Sequence, residues 1–366
     1  MSASPAALPP RLLGLATAVP GHVLHQEDVR ALAGRLFGDS SGRLPQRLAA
    51  VFDHAEIATR ASCMPRDWYE GPALGWTARN ALYETHATAL LQETAERVLS
   101  ESGLAASAID AVVTVSTTGI ATPSLDARLM NRLPFRRDVQ RLPVFGLGCA
   151  GGVLGLNRAA DLARAMPGRR VLLLAVELCA LTFRADDRSR SNLIATALFG
   201  DGAAGAVVST HPDDAKSSAP ALIAGAEHTW PESEGVMGWR VADNGLGVLF
   251  SRDIPRLVTT EFAPVLDSIL EAWDLRRTDF AATACHPGGA KVVAALESLF
   301  ALPEGGMHEA RAVLRDFGNM SAPTVLFVLE RVLAARPRGP ILATALGPGF
   351  TAGFTLLHTE RDCGAA

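Results

Sequence analysis

The sequence predicts an α/β fold of two duplicated halves, on three observations. Helical patterns alternate with short apolar strand patterns, as parallel strands covered by helices require. The same plan returns after residue 220. One pair of segments, "FGDGAAGAVVS" (199–209) and "LGPGFTAGFTLL" (346–357), repeats a G-x-G turn and then a small-residue strand near the end of each half.

The elements follow in order. "LLGLATAVP" reads as a first strand behind a loose tail holding Pro5, Pro9 and Pro10; without a basic leading region this is not a signal peptide. "ETHATALLQETAERVLSESGL" is an amphipathic helix, with Leu91, Ala95, Val98 and Leu99 on one face and Gly103 as its stop. "IDAVVTVSTTG" and "VFGLG" are strands, and "CAGGVLGLNRAADLARAM" is the helix after them. "RRVLLLAVEL" is apolar on both faces, as a central strand is, and "AAGAVVS" is another strand. The polar loop "HPDDAKSSAP" (211–220) is the best break, giving halves 1–218 and 219–366. In the second half "FAATACHPGG" is strand-like, and "AKVVAALESLF" and "SAPTVLFVLERVLAA" are helical. "GPILATALGPGFTAGFTLLH" is a pair of strands around a tight turn.

A chain of 366 residues suits two packed halves, and 48% hydrophobic with 20% charged residues is ordinary globular composition. The net charge of -4 gives no global attraction to nucleic acid or acidic lipid. The densest basic stretch, "RLMNRLPFRRDVQR" (128–141), reads as solvated surface, because its arginines alternate with Leu133, Phe135 and Asp138. Five cysteines (Cys63, Cys149, Cys179, Cys285, Cys363) with no CxxC favour neither a disulfide framework nor a zinc site. That pattern fits a reducing, cytoplasmic setting. No apolar run is long enough to span a membrane.

Three polar residues stand at glycine-rich strand-to-helix turns. Cys149 lies between Gly148 and Ala150, with Gly151 and Gly152 next. At a helix N-terminus a thiolate is stabilised, free N–H groups can receive an oxyanion, and glycines let a substrate approach. A small residue chosen for tight packing explains the stretch equally well. His286 in "ACHPGG" supplies a base or cation, or a surface turn histidine. Asn319 in "DFGNMSAPTV" supplies a donor, or an ordinary turn asparagine. Spacing permits the three to converge and does not show it.

"GLGCAGG", "CHPGGAKV", "GNMSAPTV" and "LGPGFTAG" resemble the signature regions of type III polyketide synthases, the chalcone and stilbene synthase superfamily. "VELCALTFR" and "ALFGDGAAGAVV" resemble the segments between them, and the likeness runs from Arg11 to His358. It implies a thiolase fold, a five-layer αβαβα sandwich of two duplicated halves, in a homodimer. It also implies that Cys149 carries the acyl group, that His286 holds the thiolate as an ion pair, and that His286 and Asn319 stabilise the enolate from malonyl-CoA. Acyl-CoA and malonyl-CoA are then substrates, and no metal or organic cofactor is implied.

The resemblance further assigns Arg60 in "AEIATRAS" and Lys291 in "GGAKVV" to CoA at a tunnel mouth, and Thr122 in "TTGIATPSLD" to a loop reaching the partner subunit's cavity. Some positions depart from the plant chalcone synthase pattern. Cys179 stands where threonine is usual, while Thr182 keeps the second threonine. Val248 replaces a gatekeeping phenylalanine, and no aromatic is evident near "PALIAGAEH" for the other gatekeeper. The expected cavity is therefore wide and apolar, for a medium or long fatty acyl starter released as an alkylpyrone or alkylresorcinol. The alternatives are a tetrahydroxynaphthalene- or chalcone-type product and an initiating ketoacyl-carrier-protein synthase. "HPGG" in place of an "HQAN"-like motif argues against the synthase.

Overall fold

The computed structural model describes residues 9–215 and 217–359. Pro5 and Cys363 lie outside them. The first half runs β1 (Arg11–Ala18), β2 (His22–His25), α1 (Gln26–Phe37), α2 (Gln46–Asp53), β3 (Thr59–Ser62), α3 (Trp76–Glu101), β4 (Ala111–Ser116), α4 (Leu125–Leu129), β5 (Gln140–Phe145), α5 (Gly151–Ala165), β6 (Arg170–Leu178), α6 (Arg190–Leu198) and β7 (Asp201–Ser209). The second half runs β8 (Ala221–Thr229), β9 (Met237–Ala242), β10 (Gly245–Phe250), α7 (Ile254–Leu257), α8 (Ala263–Ala272), β11 (Ala282–Cys285), α9 (Ala290–Leu299), α10 (His308–Phe317), α11 (Thr324–Ala334), β12 (Gly339–Gly347) and β13 (Thr351–Thr359).

Nine strands form one sheet in the order β11-β12-β13-β8-β1-β7-β6-β4-β5. The halves join there through a single pair, Arg11 with Ala221. On either side of that seam the order is the same. β1, β7, β6 and β4 in one half match β8, β13, β12 and β11 in the other. Both series pair antiparallel, antiparallel, then parallel. The echo seen in sequence falls on β7 and β13, which occupy equivalent places.

The layers follow from burial. β4, β6 and β7 are buried almost throughout, so both of their faces are covered. α3 packs on β1, β6 and β7 from outside. α5 and α11 lie at the centre, touching each other and strands of both halves. A Cβ at Gly155 would meet Leu173 of β6 at 2.9 Å, and one at Gly353 of β13 would meet Leu154 of α5 at 2.9 Å. Thus α5 is clasped by both half-sheets. α8 closes the far side, with Phe262 just before it stacked on Phe354 of β13 at 5.4 Å. The result is the five-layer αβαβα thiolase sandwich. Of the arginines in 128–141, Arg128 pairs with Glu84, Arg136 with Asp110 and Asp138, and Arg141 with Asp126, all near the surface.

Candidate active site

β5 ends at Phe145, and the chain turns into α5 through Gly148, Cys149 and Ala150. Gly148 has φ +46°, and a Cβ there would meet Pro348 at 2.6 Å. Its N–H donates to Thr117 Oγ1 at 3.1 Å. Cys149 is thereby held at the mouth of α5, where the macrodipole favours a thiolate.

Asn319 comes from the turn after α10. Its N–H donates to Leu198 O at 2.8 Å, and its carbonyl accepts from Gly200 N at 3.0 Å. Its side-chain Oδ1 accepts from Ser321 N at 2.8 Å, and Nδ2 donates to Gly288 O at 3.2 Å. This leaves Oδ1 4.0 Å from Cys149 Sγ. His286 follows β11, its N–H bonded to Thr344 O at 2.9 Å. Both ring nitrogens are buried and unpartnered. Cys149, His286 and Asn319 line one cavity of about 400 Å³.

Burial dominates the charges. It lowers the His286 imidazole to about 3. It raises the Cys149 thiol to about 11, against a Ser321 hydrogen bond and with the help of the nearby Glu177 charge. Each group alone is neutral. Ionising either group in this burial would require an opposite charge beside it. Glu177 is also buried, and burial raises it to about 7 although Thr117 N donates to Oε2 at 3.0 Å.

Several sequence expectations change in place or purpose. Gly151 and Gly152 do not face substrate. A Cβ at Gly151 would meet Val115 at 2.7 Å, and one at Gly152 would meet Ala322 O at 2.3 Å. They let the Asn319 turn and β4 pack on α5. Arg60 is not at the mouth. It is 3% exposed, and its guanidinium is engaged by backbone carbonyls. Lys291 does lie at the cavity and is exposed. Beside it are Arg190 and Arg252, which sequence reasoning missed. No ion pair or side-chain hydrogen bond engages any of these three cations among the described residues. Thr122 is exposed on the loop before α4.

Cys179, Thr182 and Val248 share a different pocket, of about 40 Å³, with Leu24, Val29 and Phe183. An aromatic wall lies beside it. Phe199 sits 5.9 Å from Trp239 and 5.6 Å from Phe250, ring centre to ring centre. Phe199 and Trp239 line the small pocket, and Phe250 lines the catalytic cavity. The expectation of a site without a second aromatic gate is therefore corrected. The signal was in "ALFGDG", just ahead of β7 rather than near β8. Among the described residues no cluster of three His, Cys, Asp or Glu is placed to hold a metal, and no helix is long and apolar enough to cross a membrane.

Comparison with known proteins matches residues 2–212 to the N-terminal domain of chalcone and stilbene synthases and residues 221–359 to their C-terminal domain. A 1,3,6,8-tetrahydroxynaphthalene synthase of Streptomyces peucetius subsp. caesius is 40% identical, over 93% of this chain and 91% of its own. The crystal structure of the 1,3,6,8-tetrahydroxynaphthalene synthase of Streptomyces coelicolor, a bacterial type III polyketide synthase, superposes with a TM-score of 0.89 at 28% identity, covering 96% of this chain and 99% of that one. That of PKS-I from the brown alga Ectocarpus siliculosus gives 0.90 at 25% identity, covering 98% and 100%. The chain belongs to the chalcone and stilbene synthase family and is a type III polyketide synthase, an acyltransferase.

Proposed function

We propose that the enzyme primes and extends with malonyl-CoA and releases a tetrahydroxynaphthalene-type aromatic product. The observation that carries the chemistry is the convergence of Cys149, His286 and Asn319 in one cavity with three unpaired cations beside it. Cys149 thiolate attacks the starter thioester and expels CoA thiolate, which takes a proton. The bond from malonyl C2 to the carboxylate then breaks, CO₂ leaves, and the electron pair moves onto the thioester oxygen. His286 and Asn319 Nδ2 are the donors for that oxygen. The enolate carbon attacks the acyl group on Cys149, a C–C bond forms, and the thiolate leaves. The malonyl carboxylate is the leaving group, so the step uses no cofactor. Arg190, Arg252 and Lys291 hold the CoA phosphates.

The aromatic wall favours a short starter, because Phe199, Trp239 and Phe250 stand between the catalytic cavity and the space that a long tail would fill. The names of the tetrahydroxynaphthalene synthase relatives favour the same product. One observation favours a second reading. The small pocket is lined by Cys179, Val248, Leu24 and Val29, and each methylene buried there is worth about 0.8 kcal/mol. A turned Phe199 ring would admit a fatty acyl tail and give an alkylpyrone or alkylresorcinol. Mass spectrometry of products from malonyl-CoA alone, and with a saturated acyl-CoA series, separates the two. An aromatic pentaketide from malonyl-CoA alone is expected. No product until a medium or long acyl-CoA is added overturns the malonyl-primed reading and supports the second.

The homodimer belongs to this proposal. Among the described residues β5 pairs only with β4 and forms the exposed edge of the sheet. Leu142 and Phe145 on it are 37% and 59% exposed, and Ile120 on the Thr122 loop is 49% exposed. Such an apolar edge calls for a partner. Light scattering that shows an active monomer excludes it.

A further inference from the structure

We infer that Arg60 is a positioning residue that holds the aromatic wall and the Asn319 turn in one register. The inference rests on the reading of Asn319 as an enolate donor. Arg60 lies on β3, buried against the end of α6. Its Nη1 donates to Thr196 O at 2.8 Å and Phe199 O at 3.0 Å, and its Nη2 to Ala197 O at 2.8 Å. Gln26 Oε1 accepts from the same Nη2, and Gln26 Nε2 donates to Ala197 O at 3.1 Å. The last carbonyls of a helix have no partner within it, and a cation is favoured at that end. One planar fork satisfies two of them, at Thr196 and Ala197, together with the Phe199 carbonyl just past the helix, which an ammonium cannot do in the same geometry.

The clamped segment does two things. The Phe199 ring stands in the wall. Its neighbours Leu198 and Gly200 make the two backbone bonds that hold Asn319. There is no slack between these parts. A Cβ at Gly200 would meet Phe317 O at 2.4 Å and Arg60 Cβ at 3.2 Å, and one at Gly318 would meet Leu198 O at 2.7 Å. A shift of the α6 end therefore moves both the donor aimed at the enolate and the wall that limits the product. Arg60 does not line the cavity of Cys149, His286 and Asn319; it lines the small pocket together with Phe199.

The test compares Arg60→Lys, Arg60→Gln and the milder Gln26→Met on two thioesters, malonyl-CoA and malonyl-N-acetylcysteamine, which lacks the nucleotide phosphates. CO₂ release, Cys149 acylation by intact mass, and product chain length are read. Arg60→Lys is expected to lower kcat for CO₂ release roughly tenfold to a hundredfold, with KM and Cys149 acylation little changed, equally on both thioesters. New chain lengths accompany the loss. Gln26→Met shows the same pattern more weakly, and decides the matter if the Arg60 variants do not fold. A defect on malonyl-CoA that vanishes on the N-acetylcysteamine thioester overturns the inference, since Arg60 would then bind CoA. Equal loss of acylation and CO₂ release also overturns it, and so does wild-type CO₂ release with wild-type products. Asn319→Ala is the control. If CO₂ release survives Asn319→Ala, the Asn319 reading itself fails. If it falls there but not in the Arg60 and Gln26 variants, only the present inference fails.

Discussion

The two halves share a plan and differ in what they add to it. Each places a central helix, α5 or α11, behind a turn that carries a reactive group. Cys149 stands directly before α5, and Asn319 stands shortly before α11. The turns are packed together at the centre: a Cβ at Gly152 would meet Ala322 O at 2.3 Å, and one at Gly347, the end of β12, would meet Ala150 at 2.6 Å. What breaks the repeat is elsewhere. In the second half β12 and β13 are joined by the short turn around Pro348 and Gly349. In the first half the same connection runs from Cys179 to Gly200 and contains α6. The second half instead inserts the β9–β10 hairpin after β8. These two insertions bring Phe199, Trp239, Val248 and Phe250. The repeat supplies the opposed catalytic tips, and the insertions supply the container.

The largest expected effect removes His286 from the cavity it shares with Cys149. If His286 from one half ionises Cys149 from the other, the thiol of His286→Gln feels burial alone. Its pKa should then approach about 11. At pH 7 a fully ionised thiolate would become roughly ten-thousand-fold rarer. Alkylation of Cys149 by iodoacetamide across pH reads this directly. A profile that His286→Gln leaves unmoved would show that no ion pair forms.

The next effect separates the halves. Cys149→Ala should remove the acyl adduct and all chain extension. Asn319→Ala should leave the adduct in place and slow CO₂ release, by roughly 3 kcal/mol of barrier for one lost oriented donor. Intact-mass and CO₂ measurements on the same samples check both. Equal loss of both steps in Asn319→Ala would mean that the turn only props the site.

Legibility followed the same division. The repeat was readable because its constraints are local. Strands buried on both faces are apolar throughout, as in "RVLLLAVEL", and the tips need glycines, as at Gly148. The container was not readable, because its logic is long-range. Arg60 read as a tunnel-mouth cation, since nothing near it in the chain reveals that its partners are carbonyls 136 to 139 residues away. Phe199 was in view within "ALFGDG", yet its role appears only when Trp239 and Phe250 come beside it from the other half. Val248 and Cys179 were read as lining the catalytic cavity, and they line the smaller pocket that Phe199 and Trp239 also line. Gly151 and Gly152 were read for substrate access, because a glycine needed against protein looks the same in sequence as one needed against a ligand.

The smallest effect concerns the buried carboxyl beneath the first-half tip. Glu177 is the last residue but one of β6, its Oε2 accepts from Thr117 N, and its Oε1 has no partner among the described residues. Burial raises it from an ordinary value of 4.5 to about 7. A carboxyl with a raised folded-state value costs nothing below the unfolded value, where both states are protonated. Stability is lost as pH rises through the interval, because the unfolded chain releases its proton first. The loss is complete above about 7 and amounts to about 3 kcal/mol. Glu177→Gln removes the charge and keeps an acceptor for Thr117 N. Denaturant melts should show the variant more stable than wild type at pH 8, with the difference closing near pH 4.5. The Cys149 thiol should become easier to ionise at pH 8, because the Glu177 charge opposes it. No equivalent gain is expected from the second-half tip, where Thr344, a neutral residue of β12, lies beside His286. A variant less stable than wild type at pH 8, or a difference that does not change with pH, would mean that Glu177 is held ionised by its neighbours rather than penalised by burial.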